Sequence, residues 1–112
     1  MSRAAITTHV LNLDSGTPAA GVTVALFYSH SSMAIASAQT NTDGRIVQWD
    51  RSFALQPGTY HLQFALGDWF AQQDRSSFYP EVRLSFSVID TAEHYHVPLL
   101  VNAYGYSTYR GS

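Results

Sequence analysis

The hydrophobic positions of this chain recur mostly at every second residue, as they do in β-strands that bury one face. In the stretch 21–28, for example, Val22, Val24 and Leu26 fall on one face of such a strand. Patterns of this kind predict strands at residues 6–13, 21–28, 33–40, 46–49, 60–66, 82–89, 94–100 and 104–109. Many short strands at close spacing are typical of a β-sandwich, so the predicted fold is all-β.

Turn-forming residues separate the predicted strands. The Asp-Gly pair at 43–44 and the Pro-Gly pair at 57–58 are strong turn signals, because glycine readily adopts the positive φ that tight turns require. The period of two is lost at residues 67–74, and we expect one short helix there, with Asp68 as its capping residue.

The composition is that of a folded globular chain, since 46% of the 112 residues are hydrophobic and 13% are aromatic. A chain of this length is expected to form a single domain, spanning residues 1–112. It contains no lysine, its arginines are scattered and its net charge is -2, so we expect no nucleic-acid partner. Cysteine is also absent, which excludes disulfides, a thiolate nucleophile and cysteine-ligated metals.

The sequence also bears on where the protein works. Its first residues lack the long apolar run of a signal peptide. No stretch approaches the roughly 18 apolar residues that a membrane-spanning helix needs. We therefore expect a soluble, cytoplasmic protein with no membrane partner.

Three histidines on predicted strands are candidate functional residues. His94 and His96 leave the same face of one strand, and such a pair chelates zinc where a third ligand, for instance His9, joins it. The pair is a weak signal alone, and we expect neither a metal site nor a cofactor. His9 shares its face with Thr7, and it is equally consistent with a half-buried histidine bonded to a neighbour. Pro98, in the strand of His94 and His96, favours an edge strand or a bulge.

Two arginines occupy notable positions. Arg45 directly follows the Asp-Gly turn, and Arg110 lies two residues before Ser112. Taken alone, each arginine is most simply interpreted as a solvated charge. The sequence has no Gly-x-Ser-x-Gly elbow, no His-Glu-x-x-His motif and no phosphate-binding glycine loop. An enzyme built from this sequence is therefore expected to use acid/base and electrostatic catalysis, with water as the nucleophile.

Six motifs along the chain resemble, in order, those of the transthyretin-like family. They are ITTHVLN at 6–12, GTPA at 16–19, TDGR at 42–45, FYPEV at 78–82, EHYHVPLL at 93–100 and GYSTYRGS at 105–112. The resemblance covers nearly the whole chain, and the last motif is the most specific. It implies a transthyretin-like (prealbumin-like) sandwich of two four-stranded sheets with one short helix.

The family contains hormone carriers and 5-hydroxyisourate hydrolases, and the diagnostic residues resemble those of the hydrolases. The resemblance implies catalytic roles for His9, Arg45 and His96, and substrate-binding roles for Tyr109, Arg110, Gly111 and Ser112. The reaction it implies is hydrolysis of 5-hydroxyisourate to 2-oxo-4-hydroxy-4-carboxy-5-ureidoimidazoline in urate degradation. It also implies a homotetramer, a dimer of dimers, whose histidine-bearing faces line a channel between dimers.

Two other functions remain open from the sequence. One is a non-catalytic carrier of small aromatic ligands, which would use the same channel. The other is an adhesion or interaction module without an active site, which predicts a monomer. Turnover of the substrate separates the hydrolase from both alternatives.

Overall fold

A computed structural model describes residues 3–112, which form two β-sheets packed face to face and one helix. In chain order the elements are β1 (Ile6–Asn12), β2 (Thr17–Pro18), β3 (Thr23–Tyr28), β4 (Ala36–Gln39), β5 (Arg45–Ile46), β6 (Gly58–Phe64), α1 (Leu66–Ala71), β7 (Val82–Val88), β8 (Tyr95–Asn102) and β9 (Gly105–Thr108). The first sheet has the order β2-β1-β8-β9, with β5 also paired to β1, and the second has the order β4-β3-β6-β7. The predicted all-β sandwich with one short helix is confirmed.

The first sheet differs from the expected four strands because two very short strands flank β1. Strand β5 lies opposite Thr8 and His9, and β2 lies opposite the end of β1. The sequence pattern predicts no strand at 17–18, and it places the other strand at 46–49. A two-residue strand is too short to show an alternation, so the pattern did not reveal that this sheet has five strands in the described part of the chain.

Alternate residues of the facing strands fill the space between the sheets. The largest fully buried side chains are Tyr60, Phe64, Phe70, Ile6, Leu26, Ile46, Leu62, Leu66 and Leu99. Each of them contributes roughly 1.5–3 kcal/mol by leaving water. The core therefore lies between the sheets, and the outer face of the first sheet is free to carry polar residues.

Helix α1 follows β6 and packs Leu66, Trp69 and Phe70 into the core. The prediction that Asp68 caps this helix is wrong. The N-cap residue is Ala65, and Asp68 lies in the first turn, where its carboxylate interacts favourably with the helix dipole. Among the described residues, no helix is long and apolar enough to cross a membrane.

Strands β1 and β8 run parallel at the centre of the first sheet. Their register places Thr7 opposite His96 and His9 opposite Pro98. Directly paired residues project from the same face of a sheet. Thr7, His9 and His96 therefore share the outer face, away from the core.

Pro98 lies in an interior strand, so the expectation of an edge strand is wrong. The ladder between β8 and β9 reaches only to Leu99, and pairing resumes at one bridge between His96 and Gly111. The ladder thus skips the proline, which has no N–H to donate. The Pro98 carbonyl instead accepts a hydrogen bond from the Thr108 hydroxyl at 2.7 Å.

Candidate active site

Two imidazoles and one hydroxyl form a connected cluster on the outer face of the first sheet. Thr7 Oγ1 lies 2.9 Å from His94 Nε2 and 2.8 Å from His96 Nδ1, and both distances are those of hydrogen bonds. The two rings are nearly parallel, with centroids 6.5 Å apart and an interplanar angle of 16°. Thr7 is only 3% exposed, so water competes little for its hydroxyl. His94 directly precedes β8 and His96 lies in it, and both rings lie on the same side of the sheet, as their spacing predicts.

Arg45 is brought to this face by the turn before it. The Asn41 side chain closes the turn, since its Oδ1 accepts a hydrogen bond from the backbone N–H of Arg45 at 3.0 Å. Gly44 has a φ of 74°, and a Cβ there would lie 2.5 Å from the Val10 carbonyl oxygen, so the position requires glycine. Strand β5 then pairs Arg45 with His9. The TDGR motif thus places Arg45 on a strand that pairs with β1, directly opposite His9.

The environment of His96 favours the neutral imidazole. Burial lowers the pKa of His96 from its ordinary value of about 6.5, and the charge of Arg45 lowers it further. His94, His9 and Arg3 shift the pKa of His96 in the same direction. A ring that is neutral near pH 7 is able to accept a proton from water.

The two neighbouring histidines are shifted in the same way. Burial is the largest cause that lowers the pKa of His9 and the pKa of His94. Arg45 is the next cause at His9, and Arg3 is the next cause at His94. The outer face therefore combines three proton acceptors with fixed positive charge.

Gly111, in the 109–112 segment, lies directly against His96. The Gly111 N–H donates a hydrogen bond to the His96 carbonyl at 2.8 Å. A Cβ on Gly111 would lie 2.6 Å from Cδ2 of the His96 ring and 3.3 Å from Cγ of Pro98. Only glycine therefore permits this close approach.

Arg110 is placed at the rim of the sandwich and not over the outer face. Its guanidinium donates hydrogen bonds to Glu93 Oε1 at 2.8 Å and to the His94 carbonyl at 3.2 Å. The same group lies 4.5 Å from the centroid of the Tyr95 ring, which is buried in the core. In the single chain, contacts with Glu93, the His94 carbonyl and the Tyr95 ring therefore hold the Arg110 side chain.

Tyr109 and Ser112 are both exposed. Tyr109 lines a cleft of about 380 Å³ together with Arg110 and residues of β7.

The structure brings together part of the predicted site, namely His9, Arg45, His96 and Gly111. The side chains of Tyr109 and Arg110 lie apart from that group.

Thr7 and Arg3 belong to this neighbourhood although the sequence gives them no role. The alternation places Thr7 on the face of His9, but it does not show that β8 lies alongside. Arg3 precedes the first predicted strand, and it lines a cavity of about 450 Å³ with Arg45. Only the fold shows that Arg3 and Arg45 are neighbours.

The arrangement is chemically suited to hydrolysis by water. Neutral imidazoles accept the proton of an attacking water, and a nearby guanidinium stabilises a developing oxyanion. Within residues 3–112, no three or more His, Cys, Asp or Glu side chains are arranged to hold a metal ion.

The sequence matches the family described as the HIUase/Transthyretin family over residues 6–111. This chain belongs to that family, and the resemblance noted in its motifs is confirmed. A probable 5-hydroxyisourate hydrolase of Schizosaccharomyces pombe is 43% identical over 114 residues, which cover 96% of this chain and 91% of that protein.

Solved structures agree with this assignment. The 5-hydroxyisourate hydrolase of Klebsiella pneumoniae has a TM-score of 0.84 and 37% identity, over 96% of this chain and 98% of that chain. Transthyretin from Sparus aurata has a TM-score of 0.87 and 21% identity, over 97% of each chain. At that identity the transthyretin establishes the shared fold and no more.

Proposed function

We propose that this protein is a 5-hydroxyisourate hydrolase, which converts its substrate to 2-oxo-4-hydroxy-4-carboxy-5-ureidoimidazoline in urate degradation. The observation that carries this proposal is the placement of His9, Arg45 and His96 on one face of the first sheet. Burial and the charge of Arg45 lower the pKa of both histidines there. The relatives named as hydrolases of this substrate are also more similar in sequence than the transthyretin. Both facts favour the hydrolase over a carrier.

His96 and His9 position and deprotonate the attacking water in the proposed reaction. The water oxygen bonds to a ring carbonyl carbon while its proton passes to an imidazole. The ring C–N bond then breaks, and the imidazolium returns the proton to the leaving nitrogen. General-base help of this kind contributes roughly 10²–10⁴-fold. Arg45 stabilises the oxyanion, an interaction often worth about 3 kcal/mol per donor.

The 109–112 segment binds the substrate in this proposal. Gly111 already contacts His96, and Ser112 follows it at the surface. Arg110 reaches the substrate by exchanging its contact with Glu93. Their side chains are 54% and 50% exposed, and an exposed ion pair is worth only about 0–1 kcal/mol, so the loss of this ion pair costs little. The hydrogen bond to the His94 carbonyl and the contact with the Tyr95 ring are exchanged together with it. Tyr109 hydrogen-bonds the substrate through its hydroxyl.

The proposal includes a homotetramer, a dimer of dimers, in the cytoplasm. Strand β9 is an exposed edge of the first sheet and β7 is an edge of the second. Edge strands of this kind are commonly paired across a two-fold axis. Assembly would also enclose the outer face that carries the histidine cluster.

The decisive experiment mixes the protein with freshly made 5-hydroxyisourate and follows its ultraviolet absorbance. We expect decay faster than the spontaneous reaction. The His96→Ala variant should lose about 10²-fold or more in turnover, because it removes a general base. Decay at the spontaneous rate with the unaltered protein would favour the carrier.

His30→Ala is the matched control. His30 is an exposed histidine outside the cluster. We expect this variant to retain full activity, and both variants should keep the thermal stability of the parent protein. Near-normal turnover in His96→Ala would remove His96 from the mechanism without removing the proposed reaction.

A further inference from the structure

The Thr7 hydroxyl is shared by two imidazoles, and it carries a single proton. Its oxygen lies within hydrogen-bonding distance of His94 Nε2 and His96 Nδ1. A hydroxyl carries one proton and two lone pairs, and within residues 3–112 these two rings are the hydrogen-bond partners of Thr7 Oγ1. The hydroxyl therefore donates its proton to one ring and accepts a hydrogen bond from the other. When both rings are neutral, the tautomer of one histidine therefore fixes the tautomer of the other.

The contacts of His96 decide the direction of this chain. Nδ1 of His96 faces Thr7, so Nε2 is the ring nitrogen left to accept a proton from water. In the proposed reaction Nε2 therefore carries the lone pair, and Nδ1 carries the proton of the neutral ring.

The remaining bonds follow in order. Nδ1–H of His96 donates to Oγ1 of Thr7, so the Thr7 proton goes to Nε2 of His94. Nε2 of His94 then carries the lone pair of that ring, and its proton lies on Nδ1.

We propose that Thr7 is a positioning residue that holds His96 in the Nδ1–H tautomer, so that Nε2 of His96 is the general base. His94 and Thr7 form a chain of acceptor and donor behind that ring. The inference rests on the proposed hydrolase function, whereas the tautomer itself is measured in the free protein.

The test compares Thr7→Val with Thr7→Ser. Valine has nearly the shape of threonine but lacks the hydroxyl, whereas serine keeps the hydroxyl. We expect Thr7→Val to lower kcat about 10-fold or more, up to the roughly 10²–10⁴-fold that a general base contributes, with KM changed by less than about 3-fold. Thr7→Ser should restore most of kcat.

Nitrogen-15 NMR of the imidazoles provides a readout that a merely structural role would not change. In the free protein, at a pH where the rings are neutral, His96 should show a protonated Nδ1 and an unprotonated Nε2. Thr7→Val should shift this ring toward the Nε2–H form, and Thr7→Ser should not. A wild-type His96 with Nε2–H, or an unchanged Nδ1–H signal in Thr7→Val, would overturn the proposal.

Two further observations keep the test decisive. If Thr7→Val does not fold, His94→Phe removes the acceptor behind Thr7, and a mixture of His96 tautomers is the expected result. An unchanged tautomer in His94→Phe contradicts the proposed chain. If the wild-type protein does not hydrolyse the substrate, the proposed function fails, while the NMR result still supports or overturns the role of Thr7.

Discussion

At the scale of single residues, the electrostatic effects on the outer face converge on His96. Its pKa is lowered by burial, by Arg45 and by three further cationic or titratable neighbours. A general base must be neutral, and an imidazole is neutral above its pKa. A lowered pKa therefore extends activity toward more acidic pH.

Arg45→Gln should move the acid limb of the pH profile. The change removes a positive charge, so the pKa of His96 rises toward its ordinary value, although burial, His94, His9 and Arg3 still lower it. We expect the acid limb of kcat/KM to shift to higher pH, together with a loss of kcat from weaker oxyanion stabilisation. The pH dependence of kcat/KM measures the shift, and an NMR titration of His96 checks it independently.

Arg51→Gln is the control for this prediction. Arg51 is an exposed arginine beside Asp50, and it does not contribute to the lowered pKa values of His9, His94 or His96. The acid limb of kcat/KM in the Arg51→Gln variant should match that of the wild type. An unmoved acid limb in Arg45→Gln would show that Arg45 does not set the protonation of the base.

The family resemblance singles out His9, Arg45 and His96 as candidate site residues, and their catalytic roles stay predictions. The residues taken one by one leave each role open, because a strand histidine or a turn arginine is common without any function. The role of Thr7 depends on a hydrogen bond to a residue 89 positions away, which no local pattern encodes. The placement of Arg110 against Glu93 and Tyr95 depends likewise on where the chain returns.

At the scale of secondary-structure elements, the site depends on how neighbouring segments approach β8. The 109–112 segment runs alongside this strand beyond the interruption at Pro98, and it meets His96 through one backbone hydrogen bond. The absence of a side chain on Gly111 permits that approach. The segment therefore lies against the His96 ring, and we expect it to help position that ring.

Gly111→Ala should reduce activity with little loss of stability. The new Cβ would lie 2.6 Å from the His96 ring, so either the ring or the segment must move. A displacement of about 1 Å near reacting groups costs on the order of 10²-fold, and we expect at least about 10-fold lower kcat. Thermal unfolding should change little, because the core is not altered. Steady-state kinetics and thermal melting measure the two effects.

Gly105→Ala is the matched glycine variant for this prediction. A Cβ on Gly105 would meet its nearest neighbour, Asn102 Oδ1, at 3.7 Å, which is ordinary contact. We expect wild-type kinetics from this variant. Equal activity in the Gly111 and Gly105 variants would mean that the 109–112 segment does not position His96.

Strands could be predicted from the sequence where the alternation of hydrophobic and polar residues is long. The partner of each strand in the sheet could not be predicted. Most of the predicted strands are present because a period of two over several residues is a strong signal. The two-residue strands β2 and β5 have no such period. The parallel pairing of β1 with β8 joins distant segments, and many sheet orders would fit the same alternation.

At the scale of the whole molecule, apolar side chains remain exposed near one end of the first sheet. Leu13, Phe78 and Tyr104 are 45%, 69% and 79% exposed. Backbone hydrogen bonds connect the segments that carry these residues. The Leu13 N–H donates to the Val101 carbonyl, and the Phe78 N–H donates to the Ala103 carbonyl. Together with the exposed edge strands β7 and β9, this end is suited to contact other copies of the chain.

Light scattering coupled to size exclusion should therefore give a mass four times that of the 12.4 kDa chain. Tyr104→Glu should lower this mass, because burying a carboxylate in an apolar interface is costly. Met33→Glu is the matched control, since Met33 is 77% exposed, similar to Tyr104, but lies between β3 and β4 of the other sheet. A monomeric wild type would contradict the tetramer, and equal masses for the two variants would exclude Tyr104 from the interface.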